Sequence, residues 1–159
     1  MIFVVLGTHE LPFNRLLEAI EAEIIKHNIQ EEVIVQLGHT EFETKHLKLI
    51  KFMSYKEMEK FYQDASCIIA HGGTGSITMG VKMGKKVIAA PRLIKYGEHN
   101  DDHQLEIVKQ FYQAGHILSW TEGMDLGEVL KQIKTFQPVP FKSGRGQILS
   151  IIKDFVDNI

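Results

Sequence analysis

Ala70-His71-Gly72-Gly73-Thr74-Gly75-Ser76 is the stretch that decides the fold. Ahead of it, Cys67-Ile68-Ile69-Ala70 is a short apolar run that reads as a buried strand. Behind it, Ser76 to Met83 reads as a helix closed by Gly84. The glycines therefore occupy a strand-to-helix turn, the place where open α/β sheets bind ligands. Without Cβ atoms they let the backbone approach an anion closely. The N–H groups that follow point at it, with the helix dipole behind them. Thr74 and Ser76 add hydroxyls, and His71 adds a donor whose charge changes near neutral pH. The ligand this turn suits is a phosphate or diphosphate. The plain alternative is a tight turn and nothing more, because a glycine-rich turn is a weak signal. It is not a Walker A loop, since no Gly-Lys-Ser/Thr follows, and the G-x-G-x-x-G spacing of dinucleotide sites is absent.

Outward from this turn, Ile2 to Leu6 is all apolar, as expected at the centre of a parallel sheet. Gly7-Thr8-His9-Glu10 follows as a second strand-to-helix turn, and Phe13, Leu16, Leu17, Ile20 and Ile24 then fall at helical spacing. Val33 to Leu37 is the next strand. Leu47 to Phe52 is a weaker one with interleaved lysines, expected near an edge. Ser54-Tyr55-Lys56-Glu57 is a capping box opening a helix with Met58, Phe61, Tyr62 and Ala65 on one face. Lys86 to Ala90 and His116 to Ser119 read as strands, and Asp101 to Ala114 and Asp125 to Thr135 as helices. This alternation predicts one Rossmann-like α/β domain over residues 1–159, a doubly wound parallel sheet of about six strands with right-handed crossovers. Ser143 caps a predicted final helix, 143–159, bearing Ile148, Ile151, Ile152, Phe155 and Ile159. Leu149 and Val156 lie off its main stripe, so it either packs wholly on its own sheet or offers part of its surface to another protein.

With 159 residues, 44% hydrophobic and 24% charged, the chain suits one globular domain with a real core. A formal net charge of -2 gives no argument for nucleic acid as a partner. The one cysteine, Cys67, lies in an apolar strand and reads as a small core residue. The first residues lack a basic segment and are too short a run for a signal or a membrane span, which leads us to expect a cytoplasmic chain.

A third loop, Tyr96-Gly97-Glu98-His99-Asn100-Asp101-Asp102-His103-Gln104, follows a strand and should gather with the other two at one end of the sheet. Its carboxylates and amide suit the hydroxyls of a sugar, since carboxylates accept hydrogen bonds while amides both donate and accept. Asn100, Asp101 and Asp102 also suit a solvated helix start. His99 and His103, spaced i, i+4 beside Asp102, would be the nearest thing to a metal site. No third ligand has the right spacing, so no metal is expected. Neither a Gly-x-Ser-x-Gly elbow nor an isolated Asp-x-Asp is present.

These motifs resemble the nucleotide-sugar-binding half of the family 28, GT-B-type glycosyltransferases. The resemblance is strongest to the short catalytic subunits of two-protein capsule and exopolysaccharide transferases, and to their eukaryotic counterpart acting on dolichol diphosphate. It rests on Phe3 to Glu10 with Phe13, His71 to Ser76, Gly84-Lys85, and Pro91-Arg92 with Tyr96 to His99 and Asp102-His103-Gln104. It implies a UDP-sugar donor whose diphosphate lies on Gly7, Thr8, His71, Gly72, Gly73, Thr74, Gly75 and Ser76. It puts the uracil at Phe52 and Met53, and the sugar and ribose at Glu98, His99, Asp102, His103 and Gln104. His9 and Glu98 are the catalytic candidates it leaves on this chain, with the general base supplied either by His9 or by the partner. Relatives often carry a ribose-binding Glu where Met79 stands here; a thioether cannot replace it, and Glu98 is the substitute to consider. The resemblance further implies inversion at the anomeric carbon, a lipid-linked saccharide as acceptor, no cofactor, and a membrane-anchored partner that supplies the acceptor-binding half and holds the chain at the inner face. The alternative is a non-catalytic accessory that binds nucleotide-sugar and enhances a partner transferase.

Overall fold

A computed structural model describes residues 1–141, 151–153 and 156–157. Six parallel strands run in the order β3-β2-β1-β4-β5-β6. They are β1 (Ile2–Val5), β2 (Val33–Gln36), β3 (Lys48–Ile50), β4 (Cys67–His71), β5 (Val87–Ala90) and β6 (Leu118–Ser119). The helices are α1 (Asn14–Ile25), α2 (Tyr55–Asp64), α3 (Thr74–Lys82), α4 (His103–Gln113) and α5 (Leu126–Thr135). The lysine-rich strand lies at one edge, as its sequence suggested, and the short β6 at the other.

The central strands are buried on both faces, and their side chains alternate between two cores. Ile2, Val4, Leu6, Cys67 and Ile69 turn to the face covered by Leu16, Leu17 and Ile20 of α1 and Val129, Leu130 and Ile133 of α5. Phe3, Val5, Ile68 and Ala70 turn to the face covered by Tyr62 of α2, Ile77 and Val81 of α3, and Val108 and Phe111 of α4. Burial of these side chains, at roughly 25 cal/mol per Å² of apolar surface, is the main force holding the layers together.

Helix starts follow local chemistry. Ser54 Oγ accepts from the Glu57 N–H at 3.2 Å and Glu57 Oε2 accepts from the Ser54 N–H at 2.7 Å, so the capping box forms. At the start of α1, where Phe13 has no capping side chain, the buried Thr40 hydroxyl takes the Phe13 N–H from across the molecule at 3.1 Å. The predicted helix 143–159 lies largely outside the described residues. Within the described part Ile151 packs against the α2–α4 core, while Ile152 and Val156 are exposed. No helix among the described residues is long and apolar enough to cross a membrane.

Candidate functional site

Strand order reverses between β1 and β4, because the chain winds outward from β1 in one direction and from β4 in the other. At such a switch point the loops leaving neighbouring strands diverge and open a crevice beyond their carboxyl ends. A cavity of about 580 Å³ lies there. Gly7, Thr8 and His9 line it from the end of β1, and His71, Gly73, Gly75 and Ser76 from the β4–α3 turn. His99 and Gln104 close the third side. Opposite stands an apolar wall of Phe52, Met53, Tyr55, Met58 and Met79.

The turn is shaped by contacts that tolerate no side chain. Gly7 has φ +79°, and a Cβ there would sit 2.6 Å from His71 Nε2; one on Gly73 would run into the same ring. Gln36 holds Gly7 from behind: its Oε1 accepts the Gly7 N–H at 2.9 Å and its Nε2 donates to the Gly7 carbonyl at 3.0 Å. Gly73 is the N-cap of α3 and supplies no capping side chain. The first N–H groups of α3 therefore face the cavity with the positive end of the helix dipole behind them.

A buried cation stands behind the cleft. Arg92 is 1% exposed, with Nη1 donating to the carbonyls of Leu11 (2.8 Å) and Glu98 (3.0 Å) and Nη2 to Leu6 (2.7 Å). It thereby ties the end of β1, the loop into α1 and the loop after β5 into one unit. Burial brings its pKa down to about 10 against the opposing field of Glu98. Burial, then the Arg92 charge, hold His71 down at about 4, so its imidazole is neutral at physiological pH. His9 is lowered as well, by burial first and then by His99 and Arg92. His9 Nδ1 accepts the Leu11 N–H at 3.0 Å, which leaves the neutral ring's proton on Nε2.

Several expected ligand contacts require correction. The Gly72 N–H is not offered to the cavity: it donates to Gln104 Oε1 at 2.9 Å, and a Cβ on Gly72 would meet Gln104 Cβ at 2.8 Å. Gly72 is a packing glycine against α4, and Thr74, though it opens α3, lies off the cavity lining. Glu98 is 2% exposed and takes Arg15 in a forked pair, Nε at 2.8 Å and Nη2 at 3.0 Å, plus the Leu93 N–H at 3.0 Å. Its carboxylate is engaged by these partners, and Glu98 does not line the cavity. Asp102 Oδ1 accepts the Ile94 N–H at 2.9 Å and lines a separate cavity with Leu93, Lys95 and Leu105. His103 likewise does not line the cleft; its Nδ1 is 3.3 Å from Asp101 Oδ2. Phe52, Met53, His99 and Gln104 do line it, as does Met79. Sequence reasoning missed Gln36 and Arg92 as positioning residues, and Tyr55, Met58 and Tyr62 as wall residues. Gln36 had a readable signal, a polar side chain ending an apolar central strand.

The architecture defines a Rossmann-like domain with a ligand cleft at its switch point, the design of one half of a GT-B glycosyltransferase. The chain belongs to glycosyltransferase family 28: the family's C-terminal domain matches residues 1–159. It is 25% identical over 128 residues to the UDP-N-acetylglucosamine transferase subunit ALG13 of Candida glabrata, which covers 80% of this chain and 62% of that relative's length. The solution structure of an ALG13 superposes with a TM-score of 0.60 at 21% identity, over 99% of this chain and 96% of that one. The crystal structure of MurG from Acinetobacter baumannii gives 0.56 at 20% identity, over 83% of this chain and 40% of that one. The glycosyltransferase of kitacinnamycin gives 0.60 at 14% identity, covering 97% and 37%. The chain is thus a glycosyltransferase domain.

Proposed function

We propose that this chain is the donor-binding catalytic subunit of an inverting UDP-sugar transferase. The observation that carries the reading is the bare N-terminus of α3 facing a switch-point cavity whose opposite wall is aromatic and thioether-rich. The diphosphate lies on the N–H groups of Gly75 and Ser76 and beside Thr8, and the uracil packs on Phe52 and Met53. The acceptor hydroxyl attacks the anomeric carbon. The bond from that carbon to the diphosphate oxygen breaks, and UDP leaves with the electron pair. Backbone N–H groups preorganised at a helix terminus stabilise that developing charge, a contribution of several kcal/mol in comparable sites.

His9 presents an N–H rather than a lone pair while Leu11 holds its Nδ1, so it acts as a donor to the reacting groups. The base that takes the acceptor's proton then comes from outside this chain. We assign it to a membrane-anchored partner that binds a lipid-linked saccharide and keeps this chain at the inner face of the membrane, in capsule or exopolysaccharide assembly. The subunit status of the ALG13 relative supports a split enzyme.

The test is calorimetry of the purified chain with UDP, NAD and ATP, followed by transfer assays with and without a membrane-anchored partner subunit. The expected outcome is UDP binding by the chain alone and transfer only with the partner. Full transfer by the isolated chain overturns the split site; failure of UDP to bind overturns the donor assignment.

A further inference from the structure

Three side chains behind the cleft form a hydrogen-bond line whose direction is fixed at one end. Gln104, 6% exposed, receives two backbone donors on the same oxygen: Gly72 N–H at 2.9 Å and Arg92 N–H at 3.1 Å. Its Nε2 therefore points to His71 Nδ1, 3.1 Å away, and must be the donor there. A His71 ring that accepts on Nδ1 carries its proton on Nε2, which lies 3.0 Å from Ser76 Oγ. That oxygen consequently accepts from His71, and its own proton is left over. Ser76 lines the cavity, and no acceptor for its hydroxyl proton is found among the described residues.

Turning the amide over would set its NH2 against two backbone N–H groups and leave both buried donors unsatisfied. Protonating His71 on Nδ1 would set N–H against NH2. A cationic ring with both nitrogens protonated is disfavoured by burial, Arg92, His99 and His9, which outweigh the hydrogen bond to Gln104. The line thus runs one way, from the backbone through Gln104 and His71 to Ser76.

We propose that Gln104 and His71 are positioning residues that force Ser76 to present a hydroxyl proton, rather than a lone pair, to an anionic oxygen of the ligand's diphosphate. This rests on the donor assignment above and adds a selection rule to it. The line rewards a full negative charge at this spot, because polarised donors in sequence strengthen one another. A neutral ester or sugar hydroxyl gains less. It also gives Gln104, which lines the cavity, a positioning role beside the sugar contact expected from the sequence.

A double-mutant cycle with UDP and uridine as probes decides it. Ser76→Ala is expected to weaken UDP by about tenfold or more, the value of a hydrogen bond to a charged acceptor, and to leave uridine within about twofold. Ser76→Thr keeps the hydroxyl and should restore most of the affinity. His71→Phe alone should weaken UDP by about threefold, and by less than about twofold once Ser76 is already alanine, since it acts through Ser76. A His71 penalty undiminished in the Ser76→Ala background means that the ring touches the phosphate itself and overturns the relay. So does UDP affinity indifferent to Ser76→Ala. Absence of UDP binding by the unmodified chain would instead remove the donor assignment. Should His71→Phe not fold, nitrogen-detected spectra of the unmodified protein settle the direction: a proton on His71 Nε2 supports it, and one on Nδ1 overturns it.

Discussion

Replacing Glu98 with Gln separates a structural carboxylate from a catalytic one. In the structure both oxygens are engaged: one takes Arg15 Nε, the other takes Arg15 Nη2 and the Leu93 N–H. An amide keeps one acceptor and turns an NH2 toward a donor at whichever site it occupies. Breaking a fully buried ion pair costs about 3–5 kcal/mol. Here the Arg15 side chain retains 23% of its exposure, so solvent shields part of the loss, and stacking near Tyr96 and Trp120 at 5.0 Å each holds it regardless. The expected destabilisation is about 2–3 kcal/mol, which for a chain of this size lowers the thermal midpoint by roughly 4–12 °C. Adding Arg15→Met should recover part of it by removing the stranded cation. Circular dichroism melts with urea titrations measure the stability, and calorimetry measures UDP affinity, expected to stay within about twofold. An unmoved midpoint with UDP affinity down about tenfold would falsify this account and return Glu98 to the ribose.

Gly75→Ala places a methyl where nothing of the protein lies within 4 Å, so helix propensity alone should add about 0.5–1 kcal/mol of stability. The same methyl protrudes into the cavity and should weaken UDP; equal UDP affinity would show the ligand lies elsewhere. Gly7→Ala must adopt φ +79° with its Cβ 2.6 Å from His71, and is expected to lose about 2 kcal/mol or more by urea titration. Because burial holds His71 at about 4, the unfolded chain binds its proton first as pH falls. Stability from this group is complete above about pH 6.5 and declines by about 3 kcal/mol toward pH 4. Urea midpoints of the parent and His71→Phe should therefore converge as pH falls across that window, and parallel curves would contradict it. Burial raises the Cys67 thiol to about 12, so a disulfide reagent should modify it only at the rate of unfolding.

Much of the fold was legible because its signals are local. Central strands buried on both faces read as unbroken apolar runs, and Ile2 to Leu6, Val33 to Leu37 and Lys86 to Ala90 each became a strand. The Ser54 capping box marked a helix start to the residue. The structure brings the glycine turn, Phe52, Met53, His9 and His99 to one cavity because parallel topology sends every strand's end to the same side. The third loop was the illegible part. Its acidic and amide residues look equally fit for a sugar, and only three-dimensional packing reveals which are committed internally. Arg15, distant in the chain, claims Glu98, and the short turn at Ile94–Tyr96 claims Asp102 through the Ile94 N–H. Those are contacts between residues far apart or tied by irregular backbone, for which no spacing rule exists.

The same commitments bear on the proposal that a partner completes the cleft. Every acidic side chain expected to meet the donor is engaged by Arg15 or turned to another surface, and the cleft histidine His9 is held as a proton donor. Beside His99 and the amides of Gln36 and Gln104, the cavity wall carries a set of donors: α3 backbone N–H groups, the Ser76 and Thr8 hydroxyls, and His9, with the Arg92 charge behind them. Such a set stabilises a departing diphosphate, because its negative charge grows as the glycosidic bond breaks. Under the proposed function, the base that takes a proton from the incoming hydroxyl lies outside this set. Donors that lower the barrier on the leaving side still need a base on the attacking side, which in the proposed split enzyme a second surface closing over the cleft would bring. The partner dependence proposed above fits the direction of these hydrogen bonds.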